Sequence, residues 1–421
     1  MFAKLTRLVA VTALAFGGVA ASQAATITIS CGSNASDLEF CGKYAQEWGK
    51  AHGYEVKLYT PPSSTTDNLA LLRQQFAAKS SDVDVIMIDV VWPGVIKDHL
   101  IDLKPYSHGA EAQHFPAIVA NNTIDGKLLG MPFFTDAGLL FYRKDLLEKY
   151  GLKPPQTWDE LAADAKTVMA GERKAGVADF QGFVFQGKAY EGLTCDALEW
   201  VNSFGGGDII DKSGNITIDN PKAVAALQTA ASWVGTISPE GVLNYGEEDA
   251  RGVFQNGKAL FMRNWPYAWS LSQAADSPIK GKVGVAPLPM GPGGRHAATL
   301  GGWQLAVSKY SKHPKAAAEL VMYMTSADIQ KKRAIGGSYN PTIMSLYKDK
   351  DVIAANPFMG QLLDVFTGAV ARPATVTGLK YPQVSQDFWD AVHSVLSKSS
   401  TAPDALKRLD GQLKQVKRGK W

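Results

Sequence analysis

Hydrophobic and polar positions change their period along the chain, and these changes predict alternating strands and helices. Residues 26–30 alternate as a strand, residues 37–51 carry apolar side chains at helical spacing, and residues 54–59 alternate again. A helical segment at 69–78 precedes a near-continuous apolar run at 83–91, which is typical of a strand buried on both faces. This βαβ order predicts a mostly parallel sheet covered by helices.

The same periodicity continues through the second half of the chain. It predicts strands at 180–186, at 282–287 and from 301, and helices at 143–150, 158–169, 195–204, 313–324 and from 385 to the end with a break around 399–403.

Two polar or flexible joints divide this pattern. Apolar stretches at 128–134 and 137–142 flank Thr135-Asp136, and a Gly/Pro-rich loop occupies 291–294. The chain has 421 residues, which exceeds the size at which a single hydrophobic core stops growing. We therefore predict two lobes, with the chain passing between them at these joints.

The N-terminus has the features of an export signal. Lys4 and Arg7 precede an apolar run at 8–21, and the small residues before Ala24 match a signal peptidase site, which predicts a signal peptide over residues 1–24. The run is shorter than the roughly 20 residues of a membrane span. We expect a soluble periplasmic protein without direct membrane insertion, and no lipid anchor on Cys31 because the preceding residues lack that motif.

Charge and motif content exclude several classes of partner. The formal net charge of +3 falls to +1 without Lys4 and Arg7, and charges of both signs are interspersed, so neither nucleic acid nor an anionic membrane is expected as a partner. The seven histidines show no metal-ligand spacing, and no phosphate-binding or dinucleotide motif is present. The sequence thus predicts no metal, no cofactor and no catalytic residue.

Three cysteines in an exported chain suggest one disulfide. Cys31 and Cys41 are close enough in sequence to close a small loop, and a bridge between them is our hypothesis. Cys195 lies in an apolar helical pattern and is predicted to be a buried free thiol.

Three aromatic residues crowd one short segment, residues 263–269, where Pro266 stiffens the backbone. Flat apolar faces with polar tips suit a sugar ring, although aromatic residues at such a position also fill protein cores. Trp269 has no local feature that distinguishes it from a core residue.

Several runs in order carry a resemblance that covers essentially the whole mature chain. The runs are residues 79–85, 88–92, 136–147, 186–193, 263–269, 282–289, 298–303 and 371–373. On these runs the chain resembles the extracellular solute-binding protein family 1, the sugar-binding proteins of ABC importers, and most closely the trehalose/maltose-binding group within the maltose-binding protein fold.

The resemblance implies a two-lobed α/β fold of the periplasmic binding protein type, with the ligand in the cleft between lobes. Lobe 1 would contain residues 25–136 and 298–345, and lobe 2 would contain residues 137–297 and 346–421.

The implied ligand-binding residues include three carboxylates that we expect beyond strand ends. They are Asp37, Asp89 and Asp136, which can accept charge-assisted hydrogen bonds from sugar hydroxyls. Each has an ordinary structural alternative, as a helix cap, an ion-pair partner and a turn residue respectively. Glu39 takes the place of Asp37 if the match between this sequence and the family is shifted by two residues.

The remaining implied site residues are mostly aromatic. Trp265 and Tyr267 match positions that stack on or bond to the sugar, and Trp303 matches a second stacking indole, where we expect Gly302 to let the backbone approach the ligand. Arg372 matches a family arginine and could donate a forked pair of hydrogen bonds, or it could form a salt bridge within lobe 2. Tyr190 and Trp92 are further candidates.

One position departs from the disaccharide binders of the group. Phe134 stands where they carry a tyrosine, so one hydroxyl contact is missing, and the loop at 60–67 differs from theirs. Because a site built to bond a hydroxyl discriminates between analogues, the identity of the sugar stays open.

These observations predict a periplasmic receptor that binds an α-linked disaccharide such as trehalose or maltose. The resemblance implies that it works as a monomer, and that it delivers the sugar to the transmembrane subunits of a permease served by a separate ATPase. The alternative is a periplasmic glycoside hydrolase, since paired carboxylates with aromatic stacking also build hydrolase sites.

Overall fold

The computed structural model describes residues 24–33 and 35–421. The predicted signal peptide lies outside the described residues except for Ala24. Within the described ranges, the helices are all too short or too polar to cross a lipid bilayer.

The strands over these ranges are β1 (Thr26–Ser30), β2 (Glu55–Tyr59), β3 (Val85–Asp89), β4 (Thr123–Ile124), β5 (Lys127–Leu128), β6 (Met131–Ala137), β7 (Leu139–Arg143), β8 (Gln181–Val184), β9 (Ala259–Asn264), β10 (Val283–Ala286) and β11 (Leu300–Val307).

The α-helices are α1 (Ala35–His52), α2 (Thr65–Ala77), α3 (Pro93–Ile96), α4 (Lys104–Ser107), α5 (Pro116–Asn122), α6 (Lys144–Lys149), α7 (Trp158–Lys174), α8 (Glu191–Ser203), α9 (Pro221–Trp233), α10 (Glu247–Gln255), α11 (Ala268–Ser272), α12 (Pro314–Met324), α13 (Ala327–Gly337), α14 (Lys350–Ala355), α15 (Pro357–Gln361), α16 (Leu363–Thr367), α17 (Ala374–Thr377), α18 (Tyr381–Leu396) and α19 (Ala402–Lys417). Short 3₁₀ turns lie at Lys97–His99, Ala110–Gln113, Glu240–Asn244, Met344–Lys348 and Gly378–Lys380.

Two larger sheets organise the described part of the chain. The first has the strand order β2-β1-β3-β11-β6, and the second has the order β10-β7-β9-β8. Strand β1 is parallel to β2 and β3, but β11 is antiparallel to both β3 and β6. In the second sheet only β8 and β9 pair in parallel, and β7 is antiparallel to both of its neighbours.

The prediction of a mostly parallel sheet is therefore wrong, because both sheets are mixed. The βαβ opening forms parallel pairs, as its periodicity indicates. Strand β11, however, enters the first sheet only after the chain has built the second one, and it runs against its neighbours. A strand's direction relative to its partners depends on that path, which local periodicity does not encode.

The chain crosses between the sheets at Gly138, two residues after the predicted joint. Strand β6 ends at Ala137 in the first sheet and β7 begins at Leu139 in the second, so one extended segment serves both. A Cβ atom at residue 138 would lie 2.0 Å from Oε1 of Glu199 and 2.7 Å from Nη2 of Arg263. Only glycine fits this crossing without moving those buried groups.

Separate clusters of apolar side chains cover the two sheets. One contains Ile29, Val85 and Leu305 of the first sheet, and another packs Phe183 and Phe261 of the second sheet against its helices. Cys195 is buried and free, as expected. The assignment of residues to the two lobes stays a prediction.

Candidate functional site

The first sheet brings three predicted site residues together through strand register. Asp89 is the last residue of β3 and pairs with Trp303 of β11, while Phe134 of β6 pairs with Trp303 on the other side. Because β11 is antiparallel to β3 and β6, its N-terminal end lies beside their C-terminal ends. The polar and aromatic side chains at these ends therefore share one edge of the sheet, where ligands of open α/β sheets bind.

The second sheet supplies aromatic residues to the same place. Strand β9 ends at Asn264, whose side-chain oxygen accepts a hydrogen bond from the Trp265 amide at 2.8 Å. Beyond this turn, the hydroxyl of Tyr267 donates to Glu248 at 2.5 Å, and the Trp265 indole N–H donates to Glu247 at 3.4 Å. Carboxylates of α10 thus hold the polar edges of both rings.

A cavity of about 190 Å³ lies between the two sheets. Predicted residues on its wall are Asp37, Asp89, Phe134, Asp136, Tyr190, Trp265, Tyr267, Gly302, Trp303 and Arg372. The loop that we expected to differ from the disaccharide binders also contributes, through residues 61–65. Carboxylates can accept hydrogen bonds from hydroxyls here while the aromatic faces cover C–H surfaces, so the cavity is chemically suited to a polyhydroxylated ring.

Two of the cavity carboxylates are held in an unfavourable electrostatic environment. Burial raises the pKa of Asp136 to about 7, with a further contribution from the negative charge of Asp37, against the opposing influence of Arg263 and Arg333. Burial also raises the pKa of Asp37 to about 6, although its carboxylate accepts a hydrogen bond from Tyr339 at 2.5 Å. No hydrogen-bond donor among the described residues contacts the Asp136 carboxylate, which leaves it available to a ligand.

Arg372 connects the two sides of the cavity. Its Nη2 atom lies 3.0 Å from Oδ1 of Asp89, and its Nη1 atom lies 2.7 Å from Oε1 of Glu191. Glu191 also accepts hydrogen bonds from Tyr381 and Ser385, and burial raises its pKa. The salt-bridge interpretation of Arg372 is thus observed, but one of its two partners is Asp89 of the first sheet. Its Nε atom is buried without a partner among the described residues.

Two sequence-based placements need correction. Glu39 is exposed and lies outside the cavity wall, because two residues on a helix correspond to a rotation of about 200°, which turns it away from Asp37. Trp92 is buried behind the wall, where its ring packs edge-on against Trp303 at 5.7 Å. It supports a cavity residue and does not line the cavity itself.

Gly302 lines the cavity for a different reason from the one expected. Its φ angle is +120°, and a Cβ atom there would lie 2.6 Å from the carbonyl oxygen of Phe134. The close neighbour is therefore β6, where the register of β11 shifts after Trp303. Gly301 is the glycine beside an aromatic wall residue, since its Cβ would lie 3.0 Å from the Trp265 ring.

Several cavity residues were missed by sequence reasoning. They are Lys188, Glu191, Glu247, Glu248, Asp249 and Tyr339. A signal was present for three of the carboxylates, because acidic residues in the first turn of a helix are favourable and Glu247–Asp249 open α10. Tyr339 gave no such signal, since it lies in the irregular segment after α13 and reaches the cavity only through tertiary packing.

The structure joins Cys31 and Cys41 by a disulfide bond, with their Cα atoms 5.6 Å apart. This bond closes the segment 31–41, which contains the cavity residues Gly32 and Ser33 before α1 and Asp37 in its first turn. The bridge thus lies directly behind one wall of the cavity.

The chain is similar to known proteins over most of its length. Residues 36–331 match the family described as bacterial extracellular solute-binding protein. A probable ABC transporter-binding protein of Deinococcus radiodurans is 58% identical over 410 residues, covering 97% of each chain.

Solved structures show the same fold. The maltose-bound MalE3 of T. maritima is 45% identical with a TM-score of 0.89, covering 93% of this chain and 100% of that one. A solute-binding protein of Thermotoga lettingae bound with α-D-tagatose is 25% identical with a TM-score of 0.83, covering 93% and 99%.

These similarities confirm the predicted resemblance and the two-lobed α/β fold of the maltose-binding protein type. The family and its neighbours are substrate-binding proteins rather than enzymes. The chain belongs to the bacterial extracellular solute-binding protein family, the substrate-binding proteins of ABC transporters.

Proposed function

We propose that this protein is the periplasmic receptor of an ABC importer for an α-linked disaccharide such as trehalose or maltose. The observation that carries the proposal is the cavity between the two sheets, whose wall combines the unpartnered carboxylate of Asp136 with the indoles of Trp265 and Trp303. The 45% identical MalE3, which was solved with maltose, supports this class of ligand.

The cavity chemistry explains why a neutral sugar suits this site. Ring hydroxyls would donate to Asp136 and Asp37, replacing the water lost on burial, and charge-assisted hydrogen bonds of this kind are the stronger ones. The indoles would cover the apolar faces of the rings, contributing about 25 cal/mol for each Å² of apolar surface buried. The proposed site residues are the ten predicted residues on the cavity wall.

Hinge closure is the proposed mechanism. Sugar binds one lobe, and the lobes close about the crossings at Gly138 and between β10 and β11. The closed form, a monomer, docks on the transmembrane subunits of a permease. Hydrolysis of ATP would belong to a separate ATPase, and the receptor itself would need neither a cofactor nor a catalytic residue.

Calorimetric titration of refolded, sugar-free protein tests the proposal. Trehalose, maltose, sucrose and palatinose form the panel, with glucose as the monosaccharide control. We expect one α-linked disaccharide to bind near micromolar affinity, about −8 kcal/mol, as is ordinary for such a receptor. Absence of heat across the panel, with folding verified by circular dichroism, would contradict the proposed ligand class.

A further inference from the structure

A fully buried ionic cluster lies beneath the cavity, outside the residues that line it. The guanidinium of Arg263 donates from Nε and Nη2 to the two carboxylate oxygens of Glu199, at 2.8 and 2.6 Å. Its Nη1 atom donates to Gln186 at 3.0 Å, and Asp196 lies 3.0 Å from Nε. The side chains of Arg263, Asp196 and Glu199 are completely inaccessible to solvent.

The guanidinium of Arg263 lies over one face of Trp265. The Cζ atom of Arg263 lies 3.9 Å from the centre of the indole ring, well within cation–π distance. Trp265 lines the cavity, so the face available to a ligand is the opposite one. The indole therefore has a charged, planar support on one side and the cavity on the other.

The neighbouring side chains fix the orientation of the Arg263 guanidinium. The bidentate contact with Glu199 fixes the orientation of the fork, because two parallel hydrogen bonds define a plane where a single bond would not. Glu199 is itself held by the backbone amide of Thr299 at 3.0 Å, and Gln186 donates back to the Arg263 carbonyl at 3.1 Å. Gly138 leaves the space that the cluster occupies.

We infer that Arg263 is a positioning residue for ligand binding, which holds the indole of Trp265 at the angle needed for stacking. The inference rests on the proposed function, because it takes Trp265 to be a stacking residue. Arg263 itself does not line the cavity.

Charge balance alone is the competing explanation, since Asp196 and Glu199 need a buried cation whatever Trp265 does. Arg263→Lys separates the two explanations. Lysine keeps the positive charge beside both carboxylates but has no planar group to stack on the ring. The variant therefore preserves the charge balance of the cluster but does not hold the Trp265 indole in position.

The experiment measures sugar affinity and the environment of Trp265 in parallel. Protein labelled with 5-fluorotryptophan gives a ¹⁹F resonance for Trp265, assigned by its loss in Trp265→Phe. We expect Arg263→Lys to shift or broaden this resonance without sugar and to weaken binding about tenfold. Arg143→Lys is the matched control, since Arg143 is a buried, ion-paired arginine away from the cavity.

A double-mutant cycle completes the test. We expect Arg263→Lys to weaken binding no further in a Trp265→Ala background, because the two residues then act as one unit. Additive losses, or an unchanged ¹⁹F resonance in the folded single variant, would overturn the inference. If Arg263→Lys does not fold, Glu199→Gln serves instead, because it weakens the two hydrogen bonds that orient the Arg263 guanidinium while retaining Arg263. Its effect on sugar affinity must likewise vanish in the Trp265→Ala background.

The fluorine signal also separates this inference from the proposed function. If no sugar of the panel binds wild-type protein, the proposed ligand class fails, but the sugar-free ¹⁹F comparison still decides whether Arg263 positions Trp265.

Discussion

The carboxyl group of Asp136 is buried at the cavity wall close to Asp37, and no described donor relieves its charge. Its pKa is about 7 in the folded protein and near 3.8 as an ordinary carboxyl group. At a pH between these two values, Asp136 keeps its proton in the folded state but has lost it in the unfolded chain. The free energy of unfolding therefore falls as pH rises through this window and stays lower above it.

We predict that Asp136→Asn raises the Tm of the sugar-free protein by several degrees at pH 8 and by less at pH 5, while weakening sugar binding at least about tenfold. Thermal unfolding at both pH values and calorimetry measure the two effects. Asp276→Asn, at an exposed position outside the cavity, should change neither quantity. An equal gain in Tm at pH 5 and pH 8 would show that ionisation of Asp136 is not the cause.

At the scale of elements, the disulfide ties the end of β1 to the first turns of α1. Closing this loop restricts the unfolded chain, which contributes about 2 to 3 kcal/mol to stability. The closed segment contains Asp37, whose carboxylate accepts a hydrogen bond from the Tyr339 hydroxyl.

We predict that the unfolded, unreduced mature protein has one reactive thiol, Cys195, and that reduction raises the number to three. Mass spectrometry after labelling measures this directly. The Cys31→Ser/Cys41→Ser double variant should be less stable and should bind sugar more weakly, since the loop carrying Asp37 is then freed. Three reactive thiols before reduction would exclude the bridge.

Some elements of the fold can be predicted from the sequence and others cannot. The strands β1 and β2 and the helix α1 follow from periodicity, because each buries one face against a neighbouring element. The antiparallel orientation of β11 does not follow from periodicity, since it depends on the path that the chain takes through the second sheet before it returns to the first. The site shows the same contrast. Asp89 and Asp136 lie near strand ends that the sequence pattern locates, whereas Tyr339 reaches the cavity from the irregular segment after α13, which is distant in sequence. Which of Asp37 and Glu39 faces the cavity depends on the rotation of α1 about its axis. Successive residues of a helix differ by about 100° in direction, so a sequence match that is shifted by one or two residues selects the wrong side chain.

For the whole molecule, closure of the lobes should control access to Cys195. Its thiol is buried at the cavity wall, and burial raises its pKa well above the ordinary value. Opening of the cleft would expose it to water and reagents, because α8 meets the cavity there.

We predict that saturating sugar slows maleimide labelling of Cys195 in the native protein at least about tenfold. Trp265→Ala at the same sugar concentration should show little protection, since it binds weakly. Labelling that is equally slow with and without sugar would indicate a cleft that does not open at this wall.

The crossings between the sheets have a consequence for engineering. The first sheet takes strands from residues 26–137 and again from 300–307, while the second is built entirely from the intervening chain. The protein therefore cannot be cut at one point into two separately folding halves. A single cleavage at the exposed residues 212–213 of the turn at 211–215 should leave fragments that stay associated. That turn is a suitable insertion point for a fluorescent reporter, which would sit on one lobe without interrupting a hinge strand.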